Sequence, residues 1–363
     1  MSGTPTCDDL QHQENGLNTH RLFSLHGPYL PNVLEWTRMT IKRADEDPTY
    51  KYPRCIMLDS GAFTAWNLGH ETRLDDVRRA YDAFHETAGG LGKYFDEIWM
   101  VNLDVIPGQK GVDPSPDEIA SAIRQSDINF KILDDHYPGR ILPVFHQGED
   151  DARLVAVGEM NERERYICVS PRNDVMESWR VRWSETCHLD LREKFGAGVI
   201  RTHGLATTGN DMIRKVPWYS GDSAAWVHHA RFGMIDIFEE ARGRYANYFV
   251  TRGFGKDERD KKHIGTEENM KMMPARRAAI MRIIEKYGFT LEQIADVNDI
   301  AMEAEEDGTL TQKVITSDDL TRKGSFRRRA LICMGEMDAY AKYASKLRDA
   351  GPVSAQQLLF GEL

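Results

Sequence analysis

The chain has 363 residues, 41% of them hydrophobic and 29% charged, with a formal net charge of −10. That length holds one large domain with an appendage, or two domains, of ordinary globular composition. No apolar run approaches a membrane span, and the acidic balance excludes a surface coated in positive charge while leaving room for a local basic patch. From the polar, acidic start of the chain no secretory signal is expected. Five scattered cysteines give no disulfide framework, so a cytoplasmic protein is expected.

From about residue 20 to 250 short apolar runs recur: Leu22–Leu25, Cys55–Leu58, Ile98–Leu103, Ile141–Phe145, Tyr166–Val169, Val199–Thr202, Trp218–Ser220 and Met234–Phe238. Each has the length of a strand and is bounded by Gly, Pro, Asp or Ser. Helical patterns lie between several of them, at Leu74 to Thr87, Pro116 to Asp134, Asp150 to Gly158 and Asp174 to Phe195. Repeated strand–helix units predict a parallel sheet with helices outside. Eight candidate strands favour an α/β fold of the (β/α)8, TIM-like barrel type over residues 1–250, with an open doubly wound sheet as the alternative. No GxGxxG or GxxxxGK[ST] motif follows a strand, which weakens the nucleotide-binding alternative.

In a barrel, the residues that follow the strands gather on one face, where the chemistry sits. Here they are His26-Gly27, Asp59-Ser60-Gly61, Asp104, His146-Gln147-Gly148, Ser170-Pro171-Arg172-Asn173, His203-Gly204 and Asp222-Ser223. Any one aspartate is an ordinary strand-end cap. Three of them close together are costly to desolvate unless a ligand, cation or proton compensates. Such a set suits glycosidic chemistry, with one carboxylate attacking an anomeric carbon and another moving protons. It also suits a divalent metal held by Asp and His. Spacing alone leaves both open.

The segment Leu58-Asp59-Ser60-Gly61-Ala62-Phe63 resembles the Asp-Ser-Gly-Gly-Phe-Gln motif of the tRNA-guanine transglycosylase superfamily, a (β/α)8 barrel. His146-Gln147-Gly148 resembles that family's Val-Gln-Gly segment. The run Pro217 to Trp226 looks most like the phage-type DpdA branch. The resemblance implies an enzyme, a pentosyltransferase that exchanges guanine in DNA for a 7-deazaguanine, either 7-cyano-7-deazaguanine or a derivative. It implies Asp222 as nucleophile at C1′ and Asp59 as general acid/base. Asp104 and Gln147 would read the base edge, with Ser60, Gly148 and His203 also at the base site. No other cofactor is implied. The chain departs from the pattern at Ala62, at Ser170-Pro171-Arg172-Asn173, and in lacking the family's Cys-x-Cys-x-x-Cys zinc cluster. Cys187-His188 is an isolated pair, so no metal site is expected.

After about residue 250 the composition turns helical and basic, giving a C-terminal extension over 251–363. Helices are predicted at Met273 to Tyr287, from Thr290, and at Arg328 to Leu347. Lys261, Lys262, Arg276, Arg277, Arg327, Arg328 and Arg329 are the candidate nucleic-acid contacts, solvated helix faces being the alternative. DNA and a deazaguanine base are the expected partners, with no membrane. The rival functions are the same exchange on tRNA, and an Asp/His barrel hydrolase or metal-dependent lyase. A nucleic-acid-binding protein with an inert barrel is the non-enzymatic rival.

Overall fold

The computed structural model describes residues 10–17, 20–25, 27–108, 112–250, 274–295, 302–304, 310–312 and 324–349. The chain is a mixed α/β protein with parallel sheets and a helical C-terminal part. It divides into two compact units, 1–223 and 224–363. Among the described residues no helix is long and apolar enough to cross a membrane.

The first unit carries β1 (His20–Ser24), β2 (Cys55–Asp59), β3 (Glu97–Val101), β4 (Ile141–Leu142), β5 (Val144–His146), β6 (Tyr166–Ser170), β7 (Arg201–Gly204) and β8 (Ser220–Gly221). Every pairing among them is parallel and follows chain order, β1-β2-β3-β4 and β5-β6-β7-β8. β4 and β5 are two halves of one extended stretch interrupted at Pro143, which has no N–H to give a ladder. Its carbonyl still accepts from Cys168 N–H at 2.8 Å. The first seven apolar runs of the sequence are therefore strands of parallel sheets. Among the described residues no pairing joins β8 to β1.

The helices α1 (Gln11–Leu17), α2 (Leu30–Glu46), α3 (Ala62–Asn67), α4 (Leu74–Ala88), α5 (Pro116–His136), α6 (Asp151–Met160), α7 (Glu177–Phe195) and α8 (Asn210–Lys215) fill the connections. α5 begins on a capping box. The Ser115 hydroxyl accepts from Glu118 N–H, the Glu118 carboxylate accepts from Ser115 N–H, and Pro116 needs no partner.

Strand side chains alternate between faces, and the two faces differ here. Ile56, Leu58, Ile98 and Met100 pack with Tyr81 and Phe84 of α4 and Leu133 of α5. Phe145, Ile167 and Val169 pack with Leu154 and Val157 of α6 and Leu191 of α7. Burial of side chains of this size contributes about 1.5–3 kcal/mol each. On the other face, Leu22, Met57, Val101, Leu142, Val144 and Cys168, from six successive strands, pack against one another. This inner face carries the candidate site.

The second unit opens with α9 (Ala225–Arg231), β9 (Met234–Glu239) and β10 (Arg244–Phe249). The run Met234–Phe238, expected as the eighth parallel strand, is a strand with a different partner. The chain turns back at 240–243, and β9 pairs antiparallel with β10. Among the described residues three helices follow, at Pro274–Lys286, Leu291–Ala295 and Gly324–Asp349. The second begins with a reciprocal cap, Thr290 N–H to Gln293 Oε1 and Gln293 N–H to Thr290 Oγ1. A short antiparallel pair, β11 (Met302–Ala304) with β12 (Leu310–Gln312), was not legible in the sequence.

Candidate active site

Strand parity and register assemble the site. Asp59 falls in step with Met57 and His146 with Val144, so both carry the inner-face parity. His203 sits beside Cys168 in register, and Ser220 beside His203. Asp222, two residues further, follows the same parity. Residues from four strands therefore converge where the strands end.

The turn at Asp59 depends on Gly61, which adopts φ +80°, the left-handed conformation that a side chain disfavours. Ser60 is buried, and its hydroxyl faces the Ala62 N–H at 3.4 Å. Tyr81 of α4 anchors the neighbouring strand end, its hydroxyl donating to Val101 O at 2.6 Å. Burial, then the charges of Asp222 and Asp104, push the Asp59 carboxyl up to about 7, partly offset by the Gly61 N–H and the Ser24 hydroxyl. That coupling places the three aspartates in one electrostatic environment.

Asp222 behaves in the opposite way. Burial alone would raise its pKa, but His203 and the Ala206 N–H outweigh it and hold the carboxyl below the usual range. The Ala206 N–H donates to Asp222 Oδ1 at 3.1 Å, and His203 Nε2 lies 3.4 Å from the same oxygen. Ala206 itself has φ +55°, a strained conformation for a residue with a side chain. The surrounding loop is clamped: Thr207 N–H donates to Asp222 O, Asp222 N–H to Gly204 O, and the Thr207 hydroxyl to Gly204 O. Gly204 is required by contact, since a Cβ there would meet Thr207 Oγ1 at 2.3 Å and Trp218 at 2.9 Å.

Asp104 is 9% exposed and accepts from His146 Nε2 at 2.7 Å. For His146, burial works to lower the pKa, and the Asp104 hydrogen bond and charge reverse it, leaving it raised. Helix α5 pins the loop that carries Asp104. Asn129 Nδ2 donates to Leu103 O, Asn102 Nδ2 to Ser126 O, and Val105 N–H to Ser126 Oγ. Gln147 accepts from Arg172 N–H at 2.9 Å through Oε1, which leaves its amide N–H groups for another acceptor. The unexpected Ser170-Pro171-Arg172-Asn173 turn thus orients Gln147. The Arg172 guanidinium is itself held by Asp174 and Asp113. Gly148 is exposed, with φ +113°.

The structure brings together Asp59, Asp104, Asp222, His146 and His203. Sequence reasoning missed the Ala206 N–H, the Tyr81 anchor, and the Tyr166 and Ser220 hydroxyls behind His203. None carries a motif, because each is defined by register or by a loop conformation. Cys187 is buried in the α7 packing, and both nitrogens of His188 are engaged, by Ser184 O and Thr202 Oγ1. Among the described residues no group of three or more His, Cys, Asp or Glu side chains is placed to hold a metal ion.

The basic candidates require a correction. Lys261 and Lys262 lie outside the described residues. Arg276 and Arg277 fall on the helix Pro274–Lys286. Arg327 and Arg329, read as surface phosphate contacts, are buried in the second unit. Arg329 is 0% exposed, donating from Nε to Ala230 O at 2.9 Å and from Nη1 to Ile294 O at 2.6 Å. Arg328 is half-buried beside the Phe289 ring. Replacing Arg329 by alanine leaves two carbonyls without charged donors and is expected to cost about 2–5 kcal/mol of stability, read by urea unfolding. An unchanged midpoint would contradict this structural role.

No protein-family model matches the chain, and no curated protein is similar enough to match. Among solved structures, it shows a likeness to a protein described as a probable tagatose 6 phosphate kinase from Sinorhizobium meliloti. The identity is 11% and the TM-score 0.38, over 99% of this chain and 90% of that one. A likeness at that level carries no argument about fold or activity.

Proposed function

We propose that this protein is a base-exchanging transglycosylase that replaces guanine in DNA by a 7-deazaguanine. The observation that carries the reading is the opposite tuning of two neighbouring carboxyls: Asp222 is held ionised, and Asp59 is pushed up to about 7. A nucleophile and a proton carrier need this split at neutral pH. The resemblance of Asp59-Ser60-Gly61, His146-Gln147-Gly148 and Pro217 to Trp226 to the transglycosylase superfamily supports the same pair in the same roles. A barrel-like closure of the parallel strands, seven once β4 and β5 are counted as one, is part of this reading. It is supported by the sequential parallel strand order and by an inner core built from six successive strands.

In the first half-reaction the Asp222 carboxylate attacks C1′ of the target nucleoside. The C1′–N9 bond breaks, its electron pair leaves with guanine, and guanine takes the proton held on Asp59. In the second, the incoming deazaguanine gives its N9 proton to Asp59 and attacks C1′, which releases Asp222. Asp104 accepts from N–H groups on the base edge, with His146 keeping it oriented, and the free amide of Gln147 donates to the base carbonyl. A paired guanine must leave the stack to reach this site, at a cost of a few kcal/mol.

The test is mass spectrometry of nucleosides from DNA incubated with the protein and a deazaguanine base, with tRNA in parallel and with chelator in a third arm. Deazaguanosine in DNA alone supports the proposal. Incorporation in tRNA alone moves the substrate to RNA. Chelator-sensitive release of another product would replace the reading by the metal-dependent one.

A further inference from the structure

The geometry points to Tyr166 and Ser220 as positioning residues that form, with His203, a one-directional hydrogen-bond relay that turns the His203 ring N–H toward Asp222. The Ser220 hydroxyl lies 2.6 Å from the Tyr166 hydroxyl on one side and 2.6 Å from His203 Nδ1 on the other. His203 Nε2 faces Asp222 Oδ1 at 3.4 Å. Ser220 has one proton to donate, and an ionised carboxylate only accepts. If Nδ1 carried the only ring proton, Nε2 would present a bare lone pair to Asp222. With a neutral ring, the arrangement that leaves no lone pair facing another has every donor pointing the same way. Tyr166 donates to Ser220, Ser220 to Nδ1, and Nε2–H points at Asp222 across 3.4 Å. The His203 tautomer is thereby set by a serine rather than by a carboxylate.

The start of the relay is rigid. The Tyr166 ring meets Trp99 edge-on at 5.3 Å and Tyr219 edge-on at 5.4 Å, with the Arg201 guanidinium 5.0 Å from its centroid. Burial pushes the Tyr166 phenol well up, so it stays a donor. The end is fixed as well, since Asp222 Oδ1 also accepts from the Ala206 N–H. Aligned hydrogen bonds polarise one another, which strengthens the last donor at the carboxylate.

The relay is tested on the full chain with ¹⁵N-labelled histidine, the His203 signals being those lost in His203→Gln. The wild type is expected to show bare Nδ1 and protonated Nε2. Ser220→Ala should give a mixture of tautomers, Ser220→Thr should restore the single form, and Tyr166→Phe, which keeps the ring, should weaken it. Protonated Nδ1 in the wild type, or no change in Ser220→Ala, would overturn the relay. A second arm rests on the transglycosylase reading. There Ser220→Ala should lower kcat about 10- to 100-fold at unchanged KM for DNA, with recovery in Ser220→Thr. A wild type without exchange activity would sink that reading, while the tautomer measurement still decides the relay.

Discussion

Asp222→Asn is expected to eliminate base exchange while leaving the fold intact. The amide keeps the shape of the carboxyl, and its oxygen still accepts from the Ala206 N–H that holds Asp222 Oδ1 at 3.1 Å. What disappears is the nucleophilic electron pair, and with it the covalent route. With DNA present and the incoming base withheld, the wild type should accumulate a protein–DNA adduct visible by mass, and Asp222→Asn should not. The pH dependence follows from the same pair. Asp222 is ionised across the neutral range, so the acid side of the profile does not belong to it. Guanine departure needs the proton on Asp59 and should slow as pH rises through about 7. Return of the new base needs Asp59 unprotonated and should quicken over the same interval. Measured separately, the two half-reactions should therefore show opposite limbs near one pH. Full exchange by Asp222→Asn would move the nucleophile to Asp59 or discard the mechanism.

The parts of this fold that were legible in the sequence are those set by local pattern. Seven short apolar runs bounded by Gly, Pro, Asp or Ser marked the stretches that form β1 through β8, and polar residues at their ends marked Asp59, Asp104, His146, His203 and Asp222. Pairing partners were not local. Met234-Ile235-Asp236-Ile237-Phe238 reads the same in a parallel or an antiparallel sheet, and only the return of the chain at 240–243 decides it. The arginines show the same limit. Arg327 and Arg329 look like surface charge in a basic run, yet Phe326, Arg327, Arg329, Ala330, Leu331, Ile332, Cys333 and Met334 are all buried. Their helix packs against β9, α9 and the helix Leu291–Ala295 at once. A helix covered on several sides has no polar stripe to betray it. The Tyr166–Ser220 contact spans 54 residues and exists only because of strand register.

Asp59→Asn is expected to inactivate the protein and to stabilise it, more at pH 8 than at pH 5. In the unfolded chain this carboxyl has its ordinary value, 3.8, whereas in the folded chain it is about 7. Well below 3.8 it is protonated in both states and contributes no difference. Between those values the unfolded chain has released its proton and the folded chain has not, so stability falls as pH rises. Above about 7 the full penalty applies, on the order of 4 kcal/mol. Asparagine removes the ionisation and the repulsion from Asp222 and Asp104 while keeping an oxygen for the Gly61 N–H. The melting temperature should therefore rise by about 5 °C or more at pH 8, and by less at pH 5. Loss of general acid/base help should cost about 10²–10⁴-fold in exchange. The opposed signs carry the weight of the test. A strand-end aspartate serving only as a cap loses stability when replaced, because its hydrogen bonds weaken. A carboxyl kept in an unfavourable environment for its chemistry gains stability when removed. A loss at pH 8 would mean that Asp59 is a structural cap, and an equal gain at both pH values would mean that its folded-state carboxyl is not raised. The two-carboxylate site would then lose its proton carrier.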